Sequence, residues 1–296
     1  MLDTRPRTRL IAQPATPQPV AHLLLGKPVA EAEGLLQRLF NLCRGAQAAA
    51  VSAALGSRGA DPAAAICEDS LRDHLLKFFV TWPGLLDLPP QPLPVGWRAG
   101  GDALLGQLFG PEAVAPQTPD AFATFLGGGG PLAAPLARIA ALFAPGEAVS
   151  GALPGVSFDT IWERGAQENS VAARHAAHPV MRHIEASHGR GPLWRATARF
   201  YDIAAVARGI LPAIEARDAR ALVPAARGAY AIHIVAEDGR VTAFDRVTPT
   251  DALLAERGIL ARSLATLPAE KRGLGTLLLD ILDPCSPVSL TEVRDA

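Results

Sequence analysis

A predominantly helical α+β protein is predicted by this sequence, on three observations. Apolar residues recur at helical spacing through much of the chain, strict alternation is confined to a small region near residues 229–247, and an Asp-Gly step joins its two runs where a tight hairpin needs one. No internal repeat breaks the pattern, and 296 residues at 49% hydrophobic content suffice for a full core. Residues 1–296 read as a single domain whose first twenty residues form a loosely held lead-in.

Pro6, Pro14, Pro17 and Pro19 punctuate that opening. A helical pattern then runs from about 29 to 55, with Leu35, Leu36, Leu39, Cys43 and Gln47 along one side, so Cys43 is expected to face the core. Ala48, Ala49, Ala50, Ala53 and Ala54 carry little bulk and would let another helix approach closely. A second helix over 63–80 places Cys67, Leu71, His74 and Phe78 on one face and is expected to stop at Trp82-Pro83-Gly84. Residues 83–120 are Pro- and Gly-rich and read as an irregular connection over the surface. The glycines at 127–130 are followed by no Gly-Lys-Ser/Thr, which favours a turn before a helix over 132–143 above a phosphate loop. Helices fit 166–187 and 193–216, followed by alternating runs at 229–235 and 240–247 joined through Glu237-Asp238-Gly239. Short helices lead to Leu282, and the chain closes on DPCSPVSLTEVRDA.

Charge and cysteine usage exclude several function classes. Lys+Arg number 28 against 29 Asp+Glu, with no basic stripe interleaved with aromatics, which argues against a nucleic-acid partner. The basic MLDTRPRTRL opening leads into Pro- and Gln-broken sequence rather than an apolar run, and no stretch approaches the roughly 18 apolar residues a spanning helix needs. A cytoplasmic protein without membrane association is expected. Cys43, Cys67 and Cys285 are an odd number at wide spacing and fit reduced thiols better than a disulfide framework.

Several candidate sites are weak. His175, His178, His183 and His188 cluster within HAAHPVMRHIEASH, and the first two could share a helix face as metal ligands, but Pro179 interrupts that face and capping or solvated roles weigh more. No G-x-S-x-G elbow occurs. Cys43 and Cys67, each taken alone, read as small hydrophobes filling a core. Cys285 differs, because it follows Asp283-Pro284 at the end of an apolar helix, where Pro turns the chain.

ARGAYAIHIVAEDGRVTAFDRVTPT, at 226–250, resembles the stretch of nickel-iron hydrogenase large subunits that carries an Arg-Gly, a hairpin and a Val-x-Pro-Thr/Ser corner. Asp283-Pro284-Cys285 matches the opening of that family's D-P-C-x-x-C-x-x-H, and Leu42-Cys43-x-x-Ala46-Gln47 lies on the second half of its C-G-x-C-x-x-x-H. Between them LRDHLLKFF is similar to the D-H-x-x-H-F-Y helix, and Gly191-Pro192-Leu193 to a G-P-L-A-R segment. The matches are collinear. The resemblance implies a large-subunit-like helical core, with Cys43 and Cys285 as metal ligands and Arg227, Pro249, Thr250 and Gln47 around them.

The departures shape the function it implies. The family's four thiolates are reduced to two, since Phe40 and Val288 stand at the partner positions, Gln47 replaces one His and Thr291 the other. The family's opening Glu-Gly-His has no counterpart, and no cleavable extension is expected beyond Thr291. Two thiolates suit a soft low-spin iron bearing cyanide and carbon monoxide, whose cyanide nitrogens call for a guanidinium and a hydroxyl. Nickel would lack half its ligands. The pattern is similar to the HupK/HoxV class of hydrogenase accessory proteins. That resemblance implies a non-enzymatic scaffold carrying Fe(CN)2(CO) without nickel, with a HypC-class small chaperone, the maturation factors and the apo hydrogenase large subunit as partners. Two alternatives remain. A minimal H2-activating enzyme would be distinguished by nickel content, and the retention together of Cys43, Cys285, Arg227 and Thr250 counts against a metal-free structural module.

Overall fold

The computed structural model describes residues 8–16, 19–39, 42–57 and 61–294. The architecture is α+β, as the pattern predicts, but its first strand falls inside the supposedly loose lead-in. Strand β1 (Thr8–Pro14) pairs antiparallel with the last strand, β6 (Val288–Arg294), with Ile11 opposite Thr291 and Pro14 opposite Val288. Leu10, Ala12, Val288 and Leu290 pack this ribbon on the main core. Nothing local marks two short runs at opposite ends of a chain as partners, because strand preference is set largely by tertiary neighbours.

After α1 (Val20–Leu24), the single helix expected over 29–55 is two, α2 (Val29–Leu39) and α3 (Arg44–Ala54). They break at Cys43, whose φ of 57° is left-handed. That conformation costs a residue with a Cβ about 1–2 kcal/mol, and helical periodicity cannot reveal it. The break leaves Leu39 exposed and Gln47 buried.

Helix α4 (Ala63–Leu76) continues through a π-helical turn, Lys77–Thr81, into α5 (Trp82–Leu85). The sequence Trp82-Pro83-Gly84 therefore does not stop the helix. Pro83 has no N–H for the Phe79 carbonyl, which instead accepts from the Gln91 amide at 2.8 Å. Cys67, Leu71, His74 and Phe78 are buried along this segment as expected. The supposed irregular connection contains α6 (Gly101–Phe109), too short for its periodicity to stand out but held by Leu104, Leu105 and Leu108. Next come α7 (Pro119–Gly127), the glycine turn, and α8 (Ala133–Leu142). Pro179 divides the helix expected over 166–187 into α9 (Val171–His175) and α10 (Pro179–His188).

Helix α11 (Pro192–Val206) is almost wholly buried and runs through the main core, to which Trp194 and Phe200 belong with Phe78 and Trp82. It ends ten residues before the position expected, because the chain passes into β2 (Glu215–Arg217) and β3 (Arg220–Ala225). These join the predicted hairpin, β4 (Gly228–Glu237) and β5 (Arg240–Val247), in an antiparallel sheet of order β2-β3-β4-β5. Asp238 and Gly239 form its two-residue loop with φ of 48° and 72°, the positive pair that such a turn requires. One sheet face takes α1–α3 through Ala221, Val223, Tyr230 and Ile232; the other covers Phe158 and Ile161. Then come α12 (Pro249–Leu254), α13 (Ile259–Ala265) and α14 (Gly275–Leu282). No helix among the described residues is long and apolar enough to cross a membrane.

The close approach anticipated from the alanine-rich stretch occurs at Gly45. A Cβ there would lie 2.7 Å from the Ala65 carbonyl carbon and 2.9 Å from the Ile66 nitrogen, so α3 and α4 touch backbone to backbone. Helix preference alone makes Gly→Ala favourable by roughly 0.5–1 kcal/mol. We expect Gly45→Ala to go the other way, costing about 1–3 kcal/mol by overpacking. Denaturant unfolding of parent and variant reads the sign.

Candidate functional site

Arg227 stands at the two-residue turn between β3 and β4, where Ala225 pairs with Gly228. Gly228 has a φ of 148°, and a Cβ on it would meet the Asn169 backbone oxygen at 2.8 Å. That contact explains the glycine of the Arg-Gly pair. Asn169 grips the next residue on both sides, donating to the Ala229 carbonyl at 3.0 Å and accepting from its amide at 2.7 Å. Arg174 donates to the Gly228 carbonyl at 2.6 Å and also to that of Ala225. The turn is thus fixed from outside, and its arginine points inward.

Two carboxylates meet Arg227 there. Its Nη1 donates to Asp73 Oδ2 at 2.8 Å and its Nη2 to Asp283 Oδ1 at 3.4 Å. Nε lies 2.9 Å from Asp283 Oδ2, an ionic contact without hydrogen-bond alignment. Burial opposes the guanidinium charge, but Asp283 first, then Cys43 and Asp73, outweigh it and hold Arg227 firmly cationic. Asp283 caps α14 in a left-handed conformation. Burial would raise its pKa, yet Arg199, Arg227 and Lys77 hold it well below the carboxylate range.

The two retained cysteines flank this cluster. Arg227 Nη1 points a hydrogen at Cys43 Sγ, 3.8 Å away. Burial pushes the Cys43 thiol up to about 11 against the pull of Arg227 and of the Ala226 backbone N–H, with Asp73 and Cys285 pushing the same way as burial. Cys285 follows Asp283 by two residues and is bound twice to Thr250, whose Oγ1 donates to Sγ at 2.9 Å and accepts the Cys285 amide at 2.7 Å. Thr248 and Asp251 form the capping box that sets this first turn of α12. The cysteines, from opposite ends of the sequence, thus come near enough for a charge on Cys285 to act on Cys43.

The other expected residues divide. Pro249 and Thr250 line a small cavity of about 20 Å³ with Arg199, Arg227, Leu253 and Ile281. Gln47 is buried, donates to the Leu42 carbonyl at 2.9 Å, and leaves its Oε1 without a partner among the described residues. Phe40 lies outside the described residues. Val288 and Thr291 are strand residues of β6. Cys67 packs in the main core. The histidines have structural roles: His178 Nδ1 accepts from the Val180 amide at the start of α10, and His175 reaches Asp202 at 2.9 Å.

Sequence reasoning passed over a buried chain of charges behind the thiols. Arg199 donates to Asp283 at 2.9 Å and to His74 Nδ1 at 3.1 Å, which leaves His74 Nε2–H to donate to Asp202 at 2.8 Å. Burial, with Arg199, lowers the His74 pKa and keeps the ring neutral. Asp202 would be raised by burial, but Arg174, His175 and His74 hold it well below its ordinary value. Asp73 and His74 lie in the LRDHLLKFF segment and Asp283 adjoins the Cys285 motif, so the signal was adjacency to residues already singled out.

No family model matches the chain. It is 50% identical over 283 residues, covering 96% of this chain and 93% of the relative, to a hydrogenase expression/formation protein HupK of Rhodobacter capsulatus.

The cluster's electrostatics set a pH profile. Asp283 and Asp202 have depressed folded-state pKa values, so their contribution is complete above the unfolded carboxylate value near ~3.9 and is lost as pH falls below it. Cys43 has a raised value, so its contribution is complete below about 9 and disappears as pH rises toward about 11. Arg227→Met should cost about 3–5 kcal/mol at neutral pH, because two buried carboxylates lose a shared cation. Urea unfolding across pH checks both, and an unchanged variant would show the cluster to be energetically idle.

Proposed function

Because this chain belongs to the HupK family of hydrogenase expression/formation proteins, we propose that it acts in nickel-iron hydrogenase maturation as a scaffold, holding Fe(CN)2(CO) between Cys43 and Cys285 for delivery to the hydrogenase large subunit. The observation that carries this reading is the convergence of the two thiols on one buried cationic cluster. Fe(CN)2(CO) is cargo here, not a resident cofactor.

The donor set fits that cargo. Two sulfurs supply soft ligands, while the nearby carboxylates are committed to Arg227, Arg199 and Lys77. Cys43, a thiol at neutral pH, releases its proton on binding iron, and Arg227 beside it stabilises the resulting thiolate. Arg227 presents positive charge toward anionic diatomic ligands, while the Thr250 hydroxyl steadies the Cys285 sulfur to which it donates. The cavity beside Pro249, walled by Leu253 and Ile281 on one side and by Arg199 and Arg227 on the other, gives one such diatomic ligand a mixed apolar and cationic seat. Nickel would find neither of the two further thiolates it needs, since Phe40 and Val288 occupy those sequence positions.

On this reading the helical core is hydrogenase large-subunit-like, and the protein is a cytoplasmic accessory factor rather than an enzyme. Its partners are a HypC-class small chaperone, the factors that build the iron unit, and the unfinished large subunit. A scaffold needs donors that hold iron without a reactive open nickel site, and two thiols beside carboxylates already paired with Arg227, Arg199 and Lys77 suit that description.

Protein purified anaerobically from a maturation-competent host should carry iron with little nickel, show cyanide and carbonyl infrared bands, and oxidise no H2. Cys43→Ser and Cys285→Ser should each abolish loading while leaving the helical circular dichroism unchanged. Stoichiometric nickel with H2 turnover would overturn the scaffold reading.

A further inference from the structure

Tyr230 lies on β4 opposite Val223 and is 4% exposed. Its ring belongs to the core cluster between the sheet and α1–α3, the cluster against which Cys43 packs. Helix α12, which carries Thr250, contacts the same strand. A charge on either Cys43 or Cys285 acts on the Tyr230 hydroxyl, and burial keeps the phenol neutral by pushing its pKa up to about 12. Yet its proton finds no acceptor among the described residues. Buried phenols normally find a partner.

The other groups around the thiols sharpen the point. Arg227 gives its hydrogens to Asp73 and Asp283, and Thr250 gives its own to Cys285. Arg246 interacts with the phenol, but a guanidinium has only donors, so it engages the oxygen and leaves the phenol proton to be given elsewhere. Arg227 also keeps its Nε hydrogen unaligned, but that nitrogen is held 2.9 Å from Asp283, whereas the Tyr230 proton has no acceptor among the described residues. Neither sulfur accepts it. A cyanide on iron carries its charge on a nitrogen two bonds from the metal, which brings a strong acceptor toward a donor standing back from the thiols. Carbon monoxide is a far poorer acceptor and would not compete for it.

We propose that Tyr230 is a further cargo-binding residue, its hydroxyl donating to a cyanide nitrogen of the iron unit held by Cys43 and Cys285. The assignment rests on the scaffold reading above. It makes Tyr230 a selective residue as well: the phenol rewards a cyanide-bearing iron and offers nothing to bare ferrous ion, which brings no anionic acceptor to that position.

The test is Tyr230→Phe, which removes the hydroxyl and keeps the ring. Loss of the hydroxyl removes one acceptor from Arg246 and should lower thermal stability only slightly, leaving the fold intact. Parent and variant, produced anaerobically with the maturation machinery so that Fe(CN)2(CO) itself is the probe, are compared by infrared spectroscopy in H2O and D2O. The parent should show a deuterium-sensitive cyanide band that moves and loses that sensitivity in Tyr230→Phe, while the carbonyl band changes little. Iron should leave the variant roughly tenfold faster on desalting, the low end for one hydrogen bond to a charged acceptor. Identical bands and equal retention would overturn the role of Tyr230 and leave the scaffold reading standing. A loaded parent with no cyanide or carbonyl bands would overturn both.

Discussion

The ion pair between Arg227 and Asp283 is the constraint on which the rest of this structure depends. One partner comes from a turn in the sheet and the other from the end of α14, so satisfying the pair fixes how the C-terminal helices sit against the sheet. Asp73, on α4, completes the grip from a third direction. The cysteines are placed as a consequence. Cys43 has its sulfur against the same guanidinium, and Cys285 is two residues beyond Asp283 with its amide tied to Thr250.

Such a cluster is an expensive way to hold elements together. Burying an ion pair often stabilises less than packed hydrocarbon of similar volume, and here the charges continue inward through Arg199 and His74 to Asp202. Every member has partners, which is the condition for a buried network to be tolerated at all. The π-helical turn contributes to that satisfaction: Lys77, its first residue, lies 3.1 Å from Asp283 and 3.0 Å from Asp280, and Trp82 just beyond it donates to Asp280 at 2.9 Å. A turn of this kind inside a long helix is commonly found near functional sites. Stability alone would favour leucines, so the cluster is better understood through the two thiols it positions and the charge it presents to them.

Local signals in the sequence were read correctly where they were local in physics. The Asp238-Gly239 turn and its two strands follow from alternation and positive φ, and the burial of Cys67, Leu71, His74 and Phe78 follows from helical spacing. The misses share a different cause. β1 and β6 find each other across the whole chain, β2 and β3 gain their strand character from the hairpin they join, and Cys43 breaks a helix through a backbone conformation that leaves no mark in side-chain periodicity. Around the candidate site, Arg227, Thr250 and the two cysteines stood out because short motifs contain them. Asp73 and Tyr230 lie in matched segments yet, like Arg199, did not stand out, because an acidic residue on a helix, a tyrosine in a strand and an arginine on a buried helix acquire meaning only when the fold brings them together.

The C-terminal tail shows how the loss of two sulfur ligands can be compatible with an ordered site. Where a four-thiolate centre would continue with a further cysteine and a histidine, this chain has Val288 and Thr291, and both enter the ladder with β1. Backbone hydrogen bonds thereby hold the segment after Cys285, and Thr250 holds Cys285 itself. Cys285 is therefore positioned in advance, so ligand binding need not meet the entropy of ordering the tail. Cys43 is different: burial keeps it protonated at neutral pH, so binding must expel a proton and unbinding can recover one. On the proposed scaffold reading, one sulfur fixed in place and one that would exchange a proton for a metal make a pair suited to holding an iron unit without trapping it. Under that reading, passing cargo onward calls for this balance more than for the higher affinity of four thiolates.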